Sequence, residues 1–537
     1  MTRVPTDISG TPFDAVVVGA GVNGCGVARD AAMRGLRVLL LAKGDVSSGT
    51  TAASTRLIHG GLRYLEHGEV GLVRESLRER ETLLRTVAPH LVRPLPMLVP
   101  VYAGRRRGAL TIRAGMLAYD LLSASKSLPR HRMLTAAEAR AHAPGLEAEG
   151  LRGAALFYDA QVEYAERLAV ENALAARARG ATVITYARVE RLLAGGGAAR
   201  GVVFTDLLSG ATHEARAPFV VNAAGPWVDE VLEGSGAHDE RLVGGTKGSH
   251  LVVRVFAGAP RAAVYAEAVE DGRPFFVVPW DGKLLVGTTD ERYAGDPDRV
   301  EADAREVEYL LRETNRLFPA ARLTRGDVLY TYSGVRPLPR VAGGDAGAVT
   351  RRHFVRPSRL RGLYSVVGGK LTTYRALSEQ VVDLIFRTLG KTPPPCRTAS
   401  VPLPGAAVED FDPFRHDFTK RSTLTPTATA RLLKVYGARA DEVLRLAQRD
   451  EGLSQVISEE TGTVGAEVVY AFREEMAETL ADCLLRRTMV GLNGGVGLDA
   501  VERAARVARQ SLGWTDARAA REVEEYGRHV GRFRPGV

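Results

Sequence analysis

Apolar residues in this chain come first as short unbroken runs. Residues 13–19 read FDAVVVG and residues 37–41 read RVLLL. Continuous apolar character over so few positions predicts strands covered on both faces, as in parallel sheets. Between them, GAGVNGCGVARDAAMRG sets Ala and Val at helical spacing and ends at Gly35. Strand, glycine turn, helix and strand make one βαβ unit of roughly 30 residues. Similar runs at 181–186, 220–227 (VVNAAGPW) and 363–368 predict further buried strands, and 162–179 and 372–389 predict helices. Residues 74–84 (RESLRERETLL) predict a charged amphipathic helix, after which Pro89, Pro94, Pro96 and Pro100 break the chain.

The middle of the chain has a different rhythm. Residues 190–210 read as strand–turn–strand through Gly195, Gly196 and Gly197. Residues 249–255 and 273–289 alternate as antiparallel strands do, with a hairpin signal at Asp281-Gly282. Pro393, Pro394 and Pro395 mark a boundary, and 427–510 is mostly helical in pattern. No solenoid repeat is visible.

At 537 residues the chain is too long for one hydrophobic core, which predicts two or three domains. A net charge of +9 is a mild excess that suits an anionic substrate, an anionic membrane surface or nucleic acid and selects none. The three cysteines, Cys25, Cys396 and Cys483, give no disulfide framework and no zinc spacing, so a reducing compartment and no metal are expected. The first eleven residues lack the apolar core of a signal peptide, and no run reaches the roughly 18 apolar residues of a spanning helix. The expectation is a protein that is soluble or rests on a membrane.

Gly19, Gly21 and Gly24 form GxGxxG between a strand and a helix, the context that makes this pattern a dinucleotide fingerprint. Gly19 permits the tight turn, Gly21 lets the backbone approach a pyrophosphate, and Gly24 lets helix and strand pack closely. The acid expected after the second strand, to accept from the ribose hydroxyls, is missing. Ala42 and Lys43 stand there, with Asp45 close enough to substitute. Weak or salt-sensitive cofactor binding follows, and a basic residue here also suits a 2′-phosphate. Residues 49–61, GTTAASTRLIHGG, favour a flavin, whose pyrophosphate and ring need hydroxyl and backbone donors along their length.

The strings GAGVNGCGVARDAAMRGLRVLLL, STRLIHGGLRYLE, NAAGPWV, KGSHLVV, VVPWDGKLLVGTTD, TYSGVRPL and GGKLTTYR span about residues 14 to 376. In these strings and their order the chain resembles the FAD-dependent glycerol-3-phosphate dehydrogenases. The helical C-terminal part resembles that family more loosely. The resemblance implies an α/β fold: a Rossmann-like FAD-binding domain, an antiparallel β-sheet substrate domain as in D-amino acid oxidase, and an α-helical C-terminal domain. The implied layout is a FAD-binding domain in three parts (1–103, 136–235 and 331–392), a docking segment at 104–135, a substrate domain at 236–330 and a helical domain at 393–537. Ala42 departs from the family, which usually carries Glu there.

Cofactor contacts are expected at Gly19, Ala20, Gly21, Asn23 and Gly24, and at Ala42, Lys43 and Asp45. Others are expected at Thr50, Thr51, Ser54, Arg56, Leu57, His59, Gly60 and Gly61, then at Ala224, Gly225, Trp227 and Gly334. The last group is Gly369, Lys370, Leu371, Thr372 and Thr373, where a helix N-terminus would face the flavin's N1–C2=O end. The implied substrate, glycerol 3-phosphate, is a dianion with a secondary alcohol. Arg63, Tyr64, Arg336 and Lys370, with Arg351 as a weaker candidate, supply the cations and the polar contact.

Oxidation needs a proton acceptor, and histidine suits neutral pH. His250 is set ahead of His59, which instead contacts the flavin, covalently or not. Arg336 acting by its charge, with water taking the proton, is the other option. Residues 104–132 mix Arg and Lys with Leu, Ile, Met and Tyr at helical spacing, the composition of a helix lying in a membrane interface. The expected enzyme is cytoplasmic, peripheral on the inner face of the cell membrane, and hands electrons to a quinone. An oxidase using oxygen, an amine or amino-acid oxidase and a non-catalytic flavin sensor are the rivals. No nucleic-acid motif is present, and a homodimer is left open.

Overall fold

The structure is a computed structural model that describes residues 3–66, 68–105, 107–123, 126–233, 240–341 and 349–534. Arg106 and the expected boundary at 235–236 lie outside the described residues.

A six-stranded sheet runs in the order Phe354–Pro357, Leu363–Val367, Phe219–Asn222, Ala15–Val18, Val38–Leu41, Thr182–Ile184. All its pairings are parallel except that of the edge strand Phe354–Pro357. Side chains alternate across a strand, and both sets are buried here. Ala15, Val17, Val38 and Leu40 pack on the helices Val22–Met33, Ala165–Arg177 and Tyr374–Thr388. Val16, Val18, Leu39 and Leu41 pack on an antiparallel meander of Ala187–Gly195, Ala198–Asp206 and Thr212–Arg216. Cover on both faces is why these strands read as unbroken apolar runs. The first helix ends as its sequence asks: Gly35 takes φ 84°, and the Leu36 amide donates back to the Ala31 carbonyl.

The second sheet has ten strands and is mostly antiparallel. The predicted hairpin joins Pro274–Trp280 to Lys283–Gly287, and its two loop residues, Asp281 and Gly282, both take positive φ. This sheet is broader than the expected substrate domain of 236–330. Its two longest strands, Val92–Tyr102 and Leu151–Val162, come from stretches assigned to the FAD-binding parts. Pro94, Pro96 and Pro100 do not break the chain; they lie within the first of these strands. They occupy alternate positions, so the missing donors fall on one edge and the ladder to Leu151–Val162 survives. Long-range pairing of this kind has no local signature.

Helices of the C-terminal part, among them Pro426–Tyr436, Gly465–Glu474 and Asp516–Gly531, share one core with this second sheet. Asp45, just beyond the strand Val38–Leu41, is fully enclosed by Arg486 and Arg487 from this part, at 2.6–2.9 Å. Among the described residues, no helix is long and apolar enough to cross a membrane. The segment expected to dock on a membrane forms the helix Ala109–Leu122. Its inner face, Ile112, Met116 and Tyr119, is buried, whereas Leu110, Leu117 and Leu121 on the outer face are exposed.

Candidate active site

One cavity of about 1140 Å³ runs from the glycine turn to the ends of the second sheet. That exceeds the roughly 300–1,000 Å³ of a drug-sized pocket and fits a dinucleotide with a substrate beside it. Gly19 takes φ +105°, and a Cβ there would come within 2.5 Å of the Ala223 carbonyl. A Cβ on Gly24 would lie 1.8 Å from the Gly19 carbonyl, so this glycine serves the packing of helix on turn and does not line the cavity. Gly21 faces the opening, and the next amide, of Val22, donates to Thr51 Oγ1 at 3.1 Å. Ala20, Asn23, Ala42, Lys43, Thr50, Ser54 and Leu57 line the same cavity. So do Gly61, Ala224, Gly225, Trp227, Gly334, Gly369, Leu371 and Thr372.

Two expected cofactor contacts, Asp45 and Arg56, line the cavity but are also held within the protein, and two others, Gly60 and Thr373, do not line it. Asp45, which could stand in for the missing acid, lines the cavity with both its oxygens also held by arginines in a buried network. Arg56 is buried with its guanidinium on Glu166, at 2.7 Å for each nitrogen, and stacked over Trp280. The Gly60 amide donates to the Tyr119 hydroxyl at 2.9 Å and to Asp159 at 3.3 Å. Thr373 is buried and does not line the cavity. Lys43, in place of an acid's neighbour, stacks on Trp227 at 4.2 Å and pairs with Asp298 at 2.6 Å.

Several buried polar atoms on the cavity wall have no partner within the protein: Asn23 Oδ1, Trp227 Nε1, His250 Nδ1 and Arg351 Nη1. Buried polar groups are normally paired. Orphans of both donor and acceptor type, spread along a cavity that begins at a dinucleotide turn, fit a long polar cofactor with an anion at one end.

At the other end the expected cations meet. Arg63 and Tyr64 open a short helix, Arg63–Glu66, Arg336 ends the strand Val328–Arg336, and Arg351 and Lys370 follow; all line the cavity. Asp290 joins the two inner arginines, accepting from Arg336 at 3.0 Å and from Arg351 at 2.8 Å. Arg336 also donates to Thr288 Oγ1 at 2.8 Å and to the Thr289 carbonyl. Its burial lowers its pKa to about 10 against the pull of Asp290, with Arg351 adding repulsion. Arg336 and Arg351 share the single carboxylate of Asp290, a cationic excess that suits an anionic ligand.

Lys370 sits over the Tyr64 ring at 4.6 Å and donates to Ser76 Oγ at 2.8 Å. Burial pushes its pKa down to about 7, although Asp159, Glu75 and Glu69 pull the other way. His59 is pushed down to about 3 by burial, then by Lys370 and Arg80. His250 is buried, bonded through Nε2 to Thr55 Oγ1 at 2.9 Å and stacked on Tyr332. Burial, then Arg336 and Arg56, hold its pKa well below the ordinary imidazole value. Both histidines are therefore neutral at pH 7.

Sequence reasoning passed over Asp290, although it closes the quoted string VVPWDGKLLVGTTD and so was within reach. Arg107, from the basic start of the segment expected to dock on a membrane, lines the cavity paired with Glu66 and Glu267, a placement its sequence did not signal. His529 and Arg532, which reach the wall from the C-terminal part, had no local signal.

A family model described as FAD dependent oxidoreductase matches residues 14–384, and one described as C-terminal domain of alpha-glycerophosphate oxidase matches residues 396–519. The chain is 44% identical to a glycerol-3-phosphate dehydrogenase of Synechocystis sp., covering 98% of this chain and 97% of the relative. It is 36% identical to glycerol-3-phosphate dehydrogenase 2 of Mycobacterium tuberculosis, over 96% of this chain and 87% of that protein. The solved glycerol-3-phosphate dehydrogenase of Bacillus halodurans complexed with FAD superposes with a TM-score of 0.77 at 28% identity, covering 98% of this chain and 96% of that one. The glycine turn, the polar cavity and these likenesses agree on the cofactor, FAD. The chain belongs to the FAD-dependent glycerol-3-phosphate dehydrogenase family.

Proposed function

We propose that this protein oxidises sn-glycerol 3-phosphate to dihydroxyacetone phosphate and passes the electrons to a membrane quinone. The observation that carries the reading is the convergence of Arg63, Arg336, Arg351 and Lys370 on one cavity with the dinucleotide turn. Bound FAD supplies the acceptor for the hydride that leaves C2 of the alcohol. Arg336 and Arg351, cross-braced by Asp290, are preorganised to grip a phosphate dianion, and Arg63 adds to the field. Amino-acid oxidation on the same fold would not call for so many cations. The residues that would hold FAD are Gly19, Gly21 and Asn23 at the pyrophosphate turn and Trp227 and Lys43 along the wall, with Leu371 and Thr372 at a helix start. Anaerobic addition of glycerol 3-phosphate should bleach the flavin absorbance; an unchanged spectrum would reduce the protein to a flavin-binding sensor.

His250 is our first choice for the hydroxyl proton, because its Nδ1 has no protein partner and it lines the cavity. The dianion on Arg336 offsets one of the cations that depress the imidazole, which raises its basicity when substrate is bound. Lys370 is a second reading, favoured by a pKa near neutrality. Replacing His250 with Ala should lower kcat by about 100-fold or more if it is the base. Near-normal turnover in that variant passes the role to Lys370.

The exposed leucines of helix Ala109–Leu122 support a peripheral position on the inner face of the cell membrane, with a quinone as acceptor. An oxygen electrode separates this from an oxidase: peroxide production at a rate matching substrate loss would select oxygen.

A further inference from the structure

We propose that Tyr119 is a positioning residue for the oxidation, holding the His59–Gly60–Gly61 turn against Lys370 through its hydroxyl and Asp159. Tyr119 lies on the inner face of helix Ala109–Leu122, the side opposite the exposed leucines. Its hydroxyl donates to Asp159 at 2.8 Å and accepts from the Gly60 amide at 2.9 Å. Asp159, itself buried, is anchored by Arg80 at 2.6 Å. From the other side, the Lys370 ammonium reaches the His59 and Gly60 carbonyls, each at 3.4 Å, and Thr372 Oγ1 accepts from the His59 amide at 3.1 Å.

The turn has no slack between these supports. A Cβ on Gly60 would lie 2.3 Å from the Tyr119 hydroxyl, and one on Gly61 would lie 2.2 Å from the Tyr64 ring. A fixed backbone here fixes His59, Gly61 and Tyr64 on the cavity wall. Sub-ångström misplacement of a reacting site is enough to cost turnover. A tyrosine on a helix far from GxGxxG in sequence thus sets the shape of the site it never lines.

The inference rests on the flavin-dependent reading above, and its test has an arm that needs no turnover. Tyr119→Phe keeps the ring, packed edge-on to Phe157 at 5.7 Å, and removes only the hydroxyl. The oxidised flavin of this variant should be retained, with its visible bands displaced from those of the wild type. Its kcat should fall by roughly tenfold with KM for glycerol 3-phosphate little changed. Asp159→Asn gives the second variant. Lys370 is faced by the carboxylates of Asp159, Glu75 and Glu69, the Tyr64 ring, the Ser76 hydroxyl and the His59 ring. Loss of the Asp159 charge lowers its pKa, so the activity limb it governs should move to lower pH. Wild-type bands and wild-type kcat in Tyr119→Phe overturn the proposal. If that variant does not hold flavin, an unmoved pH limb and unmoved bands in Asp159→Asn overturn it instead. A wild type that glycerol 3-phosphate does not bleach fails the functional reading, while the displaced bands still report on Tyr119.

Discussion

Arg336 and Arg351 share Asp290 in a geometry that only guanidinium groups can make, with separate nitrogens on each neighbour. Arg336→Lys keeps the charge and loses the fork. KM for glycerol 3-phosphate should rise by about 10- to 100-fold, the worth of about 1.5–3 kcal/mol for a charge-assisted hydrogen bond. Steady-state kinetics with a soluble acceptor measure it, and an unaltered KM would move the phosphate away from Arg336. Lys370 yields a pH prediction. With a pKa near 7 it is cationic below neutrality and increasingly neutral above. The kcat profile should carry a limb near pH 7 that Lys370→Met abolishes, and persistence of that limb would assign it elsewhere.

The helix Ala109–Leu122 has two audiences: its inner residues complete a core and its outer leucines meet solvent. Replacing Leu110, Leu117 and Leu121 together with Glu removes apolar area that buries nothing in the protein, so folding should be kept. Flotation with anionic vesicles should be lost, while turnover with a soluble acceptor is unaffected. Unchanged flotation would rule out this face as the docking surface. Local pattern served well at this scale wherever a strand or helix is its own signal. The βαβ unit, the Asp281-Gly282 hairpin and the glycine turn were legible for that reason. The strands Val92–Tyr102 and Leu151–Val162 were not, since their pairing joins distant stretches and the prolines argued against a strand. In the site, residue types were legible but their partners were not: Arg56 and Asp45 line the cavity as expected, yet Glu166, Arg486 and Arg487, which hold them, come from far along the chain.

Across the whole molecule, buried ion pairs bind the C-terminal helices to the flavin domain. Arg487 and Arg486 outweigh burial and hold the Asp45 carboxyl below its usual range. Glu475 pairs with Arg167 at 2.6 Å and Arg439 at 2.6 Å. Breaking one partner of a buried pair costs about 3–5 kcal/mol, because the remaining charge is left uncompensated. Asp45→Ala should therefore lower the urea midpoint of the holoenzyme by that equivalent, and an unchanged midpoint would show the network to be dispensable. Since the carboxyl titrates below its unfolded value, this contribution is full at neutral pH and is lost as pH falls through the folded pKa.

His529 and Arg532 wall the same cavity that Gly19 opens. A ribosome delivers the glycine turn early and these two side chains long afterwards, so a nascent chain offers the cofactor a trough open along one flank. Closing that flank takes the C-terminal helices, so weakening the seam between domains should speed release of the bound nucleotide, which flavin fluorescence after dilution would measure.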